Sequence, residues 1–121
     1  MKALLQRVRN ASVEVDGEVV SSIGAGVLVF LGIGKGDSEE AGRKLAKKIV
    51  ELRIFPDEKH SMNRSLKDIG GELLLVSQFT LQADCRRGRR PSFVDAEDPA
   101  RAEELYRVFG ENLRSSGIEV G

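Results

Sequence analysis

The chain has 121 residues, room for one domain and not two. Forty per cent of them are hydrophobic and 31 % are charged, a globular balance that can bury a real core without covalent staples. Nineteen basic residues offset nineteen acidic ones, so no global field draws in nucleic acid, and any such attraction rests on local patches. The single cysteine, Cys85, excludes an internal disulfide and fits a reducing cytoplasm. One histidine, His60, and no CxxC pair leave too few ligands for a zinc site or a histidine-based triad, so neither metal nor cofactor is expected. No apolar run approaches the roughly 20 residues of a membrane span. The apolar part of Met1–Arg7 is too short for a signal peptide.

Residues 2–9 alternate weakly and read as a first strand. Ser12–Val15 and Glu18–Val20 flank Asp16-Gly17, whose positive φ angles suit a type I′ hairpin. Gly24-Ala25-Gly26 is a second turn, and Val27–Ile33 is a long apolar strand. Asp37 is expected to cap the next helix, with Glu40 completing a capping box. Ala41, Leu45, Ile49 and Leu52 form its apolar stripe. Arg53–Phe55 reads as a short strand. Residues 57–69 read as a polar loop anchored by Met62 and Leu66.

Leu73–Val76, after Gly70-Gly71, reads as a strand covered on both faces. A rigid strand holds the polar residues that emerge from it at fixed positions. Residues 82–97 form a long polar loop. Asp98-Pro99 opens a last helix with Asp as cap and Pro at the first position. Its stripe is Ala102, Leu105, Tyr106, Phe109 and Leu113. Gly117 stops it, and Ile118–Val120 begin a strand. The order is strands, helix, strands, helix. Two helices cannot cover both faces of such a sheet, so the expected fold is α/β, a helix layer on a curled or doubled sheet.

Ser77, Gln78, Phe79 and Thr80 lie where the inner strand ends. The Ser77 and Thr80 hydroxyls either bond to backbone or act as nucleophiles, but a nucleophile needs a base, and none stands in the motif. The alternative is electrostatic: backbone N–H groups around Phe79 and Thr80, with the Gln78 amide, hold a carbonyl oxygen as it gains negative charge. Arg86, Arg87, Arg89 and Arg90 are either a solvated loop or a contact for a sugar–phosphate backbone. Arg7, at the end of the first strand, is an exposed edge charge or a fixed guanidinium for a loop or ligand. His60 reads as a surface residue and Cys85 as unreactive. Gly34-Lys35-Gly36 lacks the spacing and ending of a phosphate loop.

Five stretches carry a resemblance along essentially the whole chain. They are ALLQRVRNASVEVDGEVV from Ala3, ELRIFPDE from Glu51, LLVSQFTLQAD from Leu74, GRRPSF from Gly88 and DPARAEELY from Asp98. The chain resembles the D-aminoacyl-tRNA deacylases of the bacterial and eukaryotic type. The resemblance implies a three-layer α/β/β fold over residues 1–121, with mixed, largely antiparallel sheets and two main helices. It implies a cytoplasmic homodimer that binds the aminoacylated 3′ end of tRNA. The implied reaction is hydrolysis of the ester of a D-amino acid, or of glycine mischarged on tRNA(Ala). Ser77, Gln78, Phe79 and Thr80 would line the pocket, with main-chain groups and the substrate's 2′-hydroxyl carrying the chemistry. Arg7, Arg86, Arg87, Arg89 and Arg90 are the expected substrate-binding side chains. The family's second signature, a Gly-Pro-Val-Thr-type segment that Arg7 would brace, has no match, because Pro56, Pro91 and Pro99 all lie elsewhere. Relative to the family the expectation is therefore a C-terminally incomplete domain. The alternative function is a catalytically impaired tRNA- or protein-binding module.

Overall fold

The computed structural model describes residues 1–121. The strands are β1 (Lys2–Val8), β2 (Ala11–Val15), β3 (Glu18–Ile23), β4 (Gly26–Gly32), β5 (Glu72–Ser77) and β6 (Glu119–Val120). The helices are α1 (Glu39–Glu51) and α2 (Pro99–Ser115), and a 3-10 turn spans Phe79–Gln82. One sheet has the order β1-β4-β5-β6, and β2 and β3 form a separate two-stranded sheet. β1 pairs antiparallel with β4, whereas β4–β5 and β5–β6 are parallel. Parallel neighbours need a long crossover, and the segments carrying α1 and α2 supply the two crossovers.

Burial explains the apolar runs. Val27, Val29, Leu31, Leu73 and Leu75 share one face, where they pack against Ala46, Ile49 and Val50 of α1 and Leu105, Phe109 and Leu113 of α2. Leu74 points the other way and is also buried. There Ser21 and Ile23 of β3 converge with it on Gly121. The sheet thus lies between a helix layer and the β2–β3 hairpin. Asp16 and Gly17 both have positive φ, 52° and 82°, as the Asp-Gly turn requires.

Several expectations are corrected. Ser38, not Asp37, caps α1, its hydroxyl accepting from the Ala41 N–H at 3.1 Å. Asp37 instead accepts from the Gly34 N–H at 2.6 Å and pairs with the Met1 amine at 2.6 Å. With the cap one residue later, α1 turns Gly42, Ala46, Ile49 and Val50 inward and leaves Ala41 and Leu52 exposed. Arg53–Phe55 is no strand, because only Phe55 and Arg64 form a bridge. Leu66 anchors its loop, but Met62 is exposed. Asp98 stands at the N-cap of α2 without a side-chain capping bond, while Gly117 (φ 85°) ends the helix as expected.

Gly26 allows β5 to approach β4. A Cβ there would lie 1.8 Å from the Glu72 carbonyl oxygen, a backbone atom that cannot swing away. Gly24, two residues earlier, has nothing within 4 Å of the same position. Gly26→Ala is expected to cost about 1–3 kcal/mol, a fall in Tm of roughly 5–15 °C, with Gly24→Ala close to neutral. Thermal unfolding followed by circular dichroism checks the pair, and equal melting points would contradict the close β4–β5 approach.

Candidate active site at the end of the central strand

β5 stops at Ser77, and the ladder ends one residue later. The Gln78 N–H donates to the Leu31 carbonyl at 2.8 Å. The chain then tightens into the 3-10 turn, whose first internal bond runs from the Leu81 N–H to the Gln78 carbonyl at 3.3 Å. The N–H groups of Phe79 and Thr80 precede that bond, so they have no acceptor within the turn. They leave the sheet at an exposed corner, where Phe79 is 59 % exposed.

Gly32 and Gln82 seat the turn. A Cβ on Gly32 would come within 2.8 Å of the Leu81 Cβ. The buried Gln82 amide donates to the Gly32 carbonyl at 3.0 Å. Nothing local in the sequence marked Gln82 as structural; its spacing from Gly32 across the fold, 50 residues, carries the information.

The Gln78 side-chain amide donates to the Thr80 hydroxyl. The Gln78 backbone N–H is spent on Leu31 and one side-chain N–H on Thr80, which leaves the second amide N–H for a ligand. The partner found for the Thr80 hydroxyl is an amide, which cannot take its proton. The single histidine is exposed at position 60, inside a separate loop tied down by Asp57.

The arginine loop is bound to this corner. Asp84 and Ser92 exchange two backbone hydrogen bonds, 2.6 and 2.8 Å, closing the loop between them. Gly88 turns it with φ 66°. The Lys35 N–H reaches the Asp95 carbonyl at 2.9 Å and the Glu97 N–H reaches the Ile33 carbonyl at 3.0 Å, stitching the following segment to the end of β4. Phe93 thereby meets Phe79 edge-on, with ring centroids 5.2 Å apart. The two most distinctive motifs thus share one aromatic contact.

The arginines are not equivalent. Arg86 is chelated by Asp84, through Nε at 2.9 Å, Nη2 at 2.8 Å and its backbone N–H at 3.0 Å. Arg87, Arg89 and Arg90 are exposed and enter none of the ion pairs. Asp84, Arg86, Arg87 and Ser92 line a cavity of about 440 Å³. Arg7 stands apart. It pairs with Val27, four residues along β4 from the Leu31 that pairs with Ser77, about 13 Å away along the strand. The reason is topological: β1 runs against β4 and β5 runs with it, so their ends lie at opposite edges. The Arg7 guanidinium donates to the Ile54 carbonyl at 3.0 Å, a loop contact. None of the main cavities is lined by residues 77–80, so within one chain the corner is a ledge and not an enclosed pocket.

An α/β chain with unsatisfied main-chain donors at a strand end, an aromatic pair and an arginine loop suits a labile ester on a nucleotide. Comparison with known proteins narrows this class. The family model for D-Tyr-tRNA(Tyr) deacylase matches residues 4–121. The D-aminoacyl-tRNA deacylase of Thermodesulfovibrio yellowstonii is 58 % identical over 120 residues, covering 99 % of this chain and 82 % of that protein. That of Aquifex aeolicus is 54 % identical over 120 residues, covering 99 % and 81 %. A solved structure described as a c-Myc DNA unwinding element binding protein superposes with a TM-score of 0.92 at 41 % identity, covering all of this chain and 84 % of that one. A probable eukaryotic D-amino acid tRNA deacylase shares the fold, with a TM-score of 0.74 at 20 % identity, over 94 % and 67 %. The chain belongs to the D-Tyr-tRNA(Tyr) deacylase family.

The Arg86 side chain and then its backbone N–H hold the Asp84 carboxyl at about 2, below its ordinary 3.8. A lowered carboxyl pKa contributes stability above the ordinary value and loses it as pH falls through the lowered one. The chelate is therefore expected to be intact at pH 4 and above and to open as pH falls toward 2. Carboxyl ¹³C NMR titration of Asp84 should give a midpoint near 2, and a midpoint at 3.8 would show that the chelate does not form.

Proposed function

We propose that this chain hydrolyses the ester bond of D-aminoacyl-tRNA, releasing the D-amino acid and free tRNA as a proofreading step in translation. Family membership supports the reaction class. The observation that carries the mechanism is the pair of N–H groups, Phe79 and Thr80, ahead of the first bond of the 3-10 turn. In the proposed step they receive the ester carbonyl oxygen as water attacks and negative charge develops on it. An aminoacyl ester is already labile, so positioning and charge stabilisation suffice without a side-chain nucleophile. The exposed Phe79–Phe93 pair offers an aromatic surface to the terminal base, and Arg87, Arg89 and Arg90 face the phosphates behind it. Glycine has no Cβ for the site to turn away, so glycyl-tRNA(Ala) belongs in the same substrate class.

The active unit in this reading is a homodimer. Leu4, Val15, Val19 and Val20 are each more than half exposed, an apolar surface on β1 and the hairpin that a second copy would cover. A partner seated near the open ledge would also wall it off from water. Sedimentation is expected to give a species of about twice 13.3 kDa, and a monomer at working concentration would contradict this part.

Deacylation of D-Tyr-tRNA against L-Tyr-tRNA tests the activity, with the D-ester expected to turn over faster. Tight tRNA binding without turnover would favour the impaired binding module instead. The mechanism has a sharper test. Gln78 lies outside the helical region (φ −144°, ψ 89°), so a proline can follow it, and proline removes the N–H of residue 79 while keeping the turn. Phe79→Pro is expected to lower kcat about 10²–10³-fold, whereas Thr80→Ala keeps kcat/KM within roughly tenfold. Phe79→Leu, which retains the N–H, should act mainly on KM. Complete loss with Thr80→Ala and tolerance of Phe79→Pro would reinstate the hydroxyl as nucleophile.

A further inference from the structure

Exposed cations that lack an ion pair cluster on α1, whereas α2 has only Arg114 in that state. On α2, Arg101 pairs with Glu104 at 3.2 Å and Arg107 with Glu111 at 2.7 Å. On α1, Lys44, Lys47 and Lys48 are exposed and enter no ion pair, and Arg43 has only Glu40 at 3.9 Å. Lys67 joins Arg43 and Lys47 around a groove between α1 and the end of α2, and Lys44, Lys47 and Lys48 line a second hollow with Glu51 and Leu52. Since α1 turns Gly42, Ala46, Ile49 and Val50 into the core, these cations occupy its flank and solvent face. In a chain of zero net charge this is a local excess of positive charge, four cations on α1 and Lys67 against Glu39, Glu40 and Glu51, the last of which lines both hollows.

We propose that this face of α1, with Lys67, is a second RNA contact that grips the sugar–phosphate backbone of the base-paired arm of tRNA. The proposal rests on the substrate class assigned above. Three observations select this occupant. The cations are mostly lysines, compact ammonium charges that suit phosphates and do not read bases. The patch carries no aromatic ring, whereas single strands are held by stacking; the exposed rings, Phe79 and Phe93, are at the candidate active site. The apolar face of α1 is buried against the sheet and α2 except for Leu52 beside the lysines, and one leucine is too little to anchor the helix in a lipid surface. The approach to α1 is tied to the site. The bridge between Gly34 and Ala96 and the Lys35–Asp95 bond join the approach to α1 to the segment carrying Phe93. Lys48 lies about 15 Å further along the helix axis from its Ser38 cap. A tRNA whose single-stranded end lies on the aromatic corner would carry its duplex toward these lysines.

The test is equilibrium binding of uncharged tRNA between about 50 and 200 mM salt, which requires no hydrolysis. The triple variant K44Q/K47Q/K48Q is expected to reduce the slope of log Kd against log salt by about 2–3 and to raise Kd at about 0.1 M salt at least tenfold. K47Q and K48Q singly should each reduce the slope by about 1, which covers the case of a misfolded triple variant. Binding of a short single strand with the tRNA 3′-terminal sequence should keep its slope. An unchanged tRNA slope would overturn the proposal, as would an equal loss for the single strand. So would unchanged tRNA binding with lost affinity for phosphatidylserine vesicles, which would assign the face to a membrane surface. A wild-type chain that binds tRNA with the expected slope but hydrolyses nothing would sink the proposed activity and leave this contact standing.

Discussion

The hydrogen bond from the Gln78 N–H to the Leu31 carbonyl is the last rung between β4 and β5, and the geometry of the corner depends on it. Up to that rung the β5 donors that face β4 belong to the sheet. Past it the chain must turn, because Gly32 and the buried Gln82 amide draw the 3-10 turn down onto the end of β4. The first two N–H groups of a short turn lack internal acceptors whatever their side chains. A strand buried on both faces, followed at once by such a turn, thus leaves two main-chain donors without a backbone acceptor at an exposed corner. Preorganised donors of this kind cost no reorganisation when charge develops, which is why they suit ester cleavage.

Charge is sorted locally in a molecule with no net field. Asp84 consumes Arg86 to close the arginine loop and leaves Arg87, Arg89 and Arg90 outward. Glu104 and Glu111 pair with Arg101 and Arg107 of α2, and Arg114 stays free of an ion pair. Two groups of cations outside any ion pair stand close in sequence, Arg87, Arg89 and Arg90 on the loop beside Phe93 and Lys44, Lys47 and Lys48 on α1. Exposed ion pairs add little to stability, so this arrangement has more to do with where an anion can bind than with holding the fold.

The sequence was most legible where local chemistry and burial agree. Asp16-Gly17 announced its turn, Leu73–Val76 its two-sided burial, and Leu105, Phe109 and Leu113 the inner face of α2. Legibility failed where a long-range contact overrides a local signal. Asp37 looked like a cap but is drawn to the Gly34 N–H and the Met1 amine, and the cap passes to Ser38. That shift by one residue rotated the stripe of α1. Arg53–Phe55 had strand composition but no neighbouring strand to pair with beyond a single bridge. Residues 77–80 and the arginine loop were visible as motifs. Their contact through Phe79 and Phe93, the chelation of Arg86 and the distance of Arg7 depend on strand direction and loop closure, which no local pattern encodes.

The account is tested most directly by a crystal structure of the protein with an adenosine bearing a D-tyrosine through a non-hydrolysable 3′-amide. The expected result is an acyl oxygen about 3 Å from the Phe79 and Thr80 nitrogens, with the Gln78 amide still on the Thr80 hydroxyl. An acyl oxygen away from both nitrogens, with the Thr80 hydroxyl released and facing the carbonyl carbon, would contradict it.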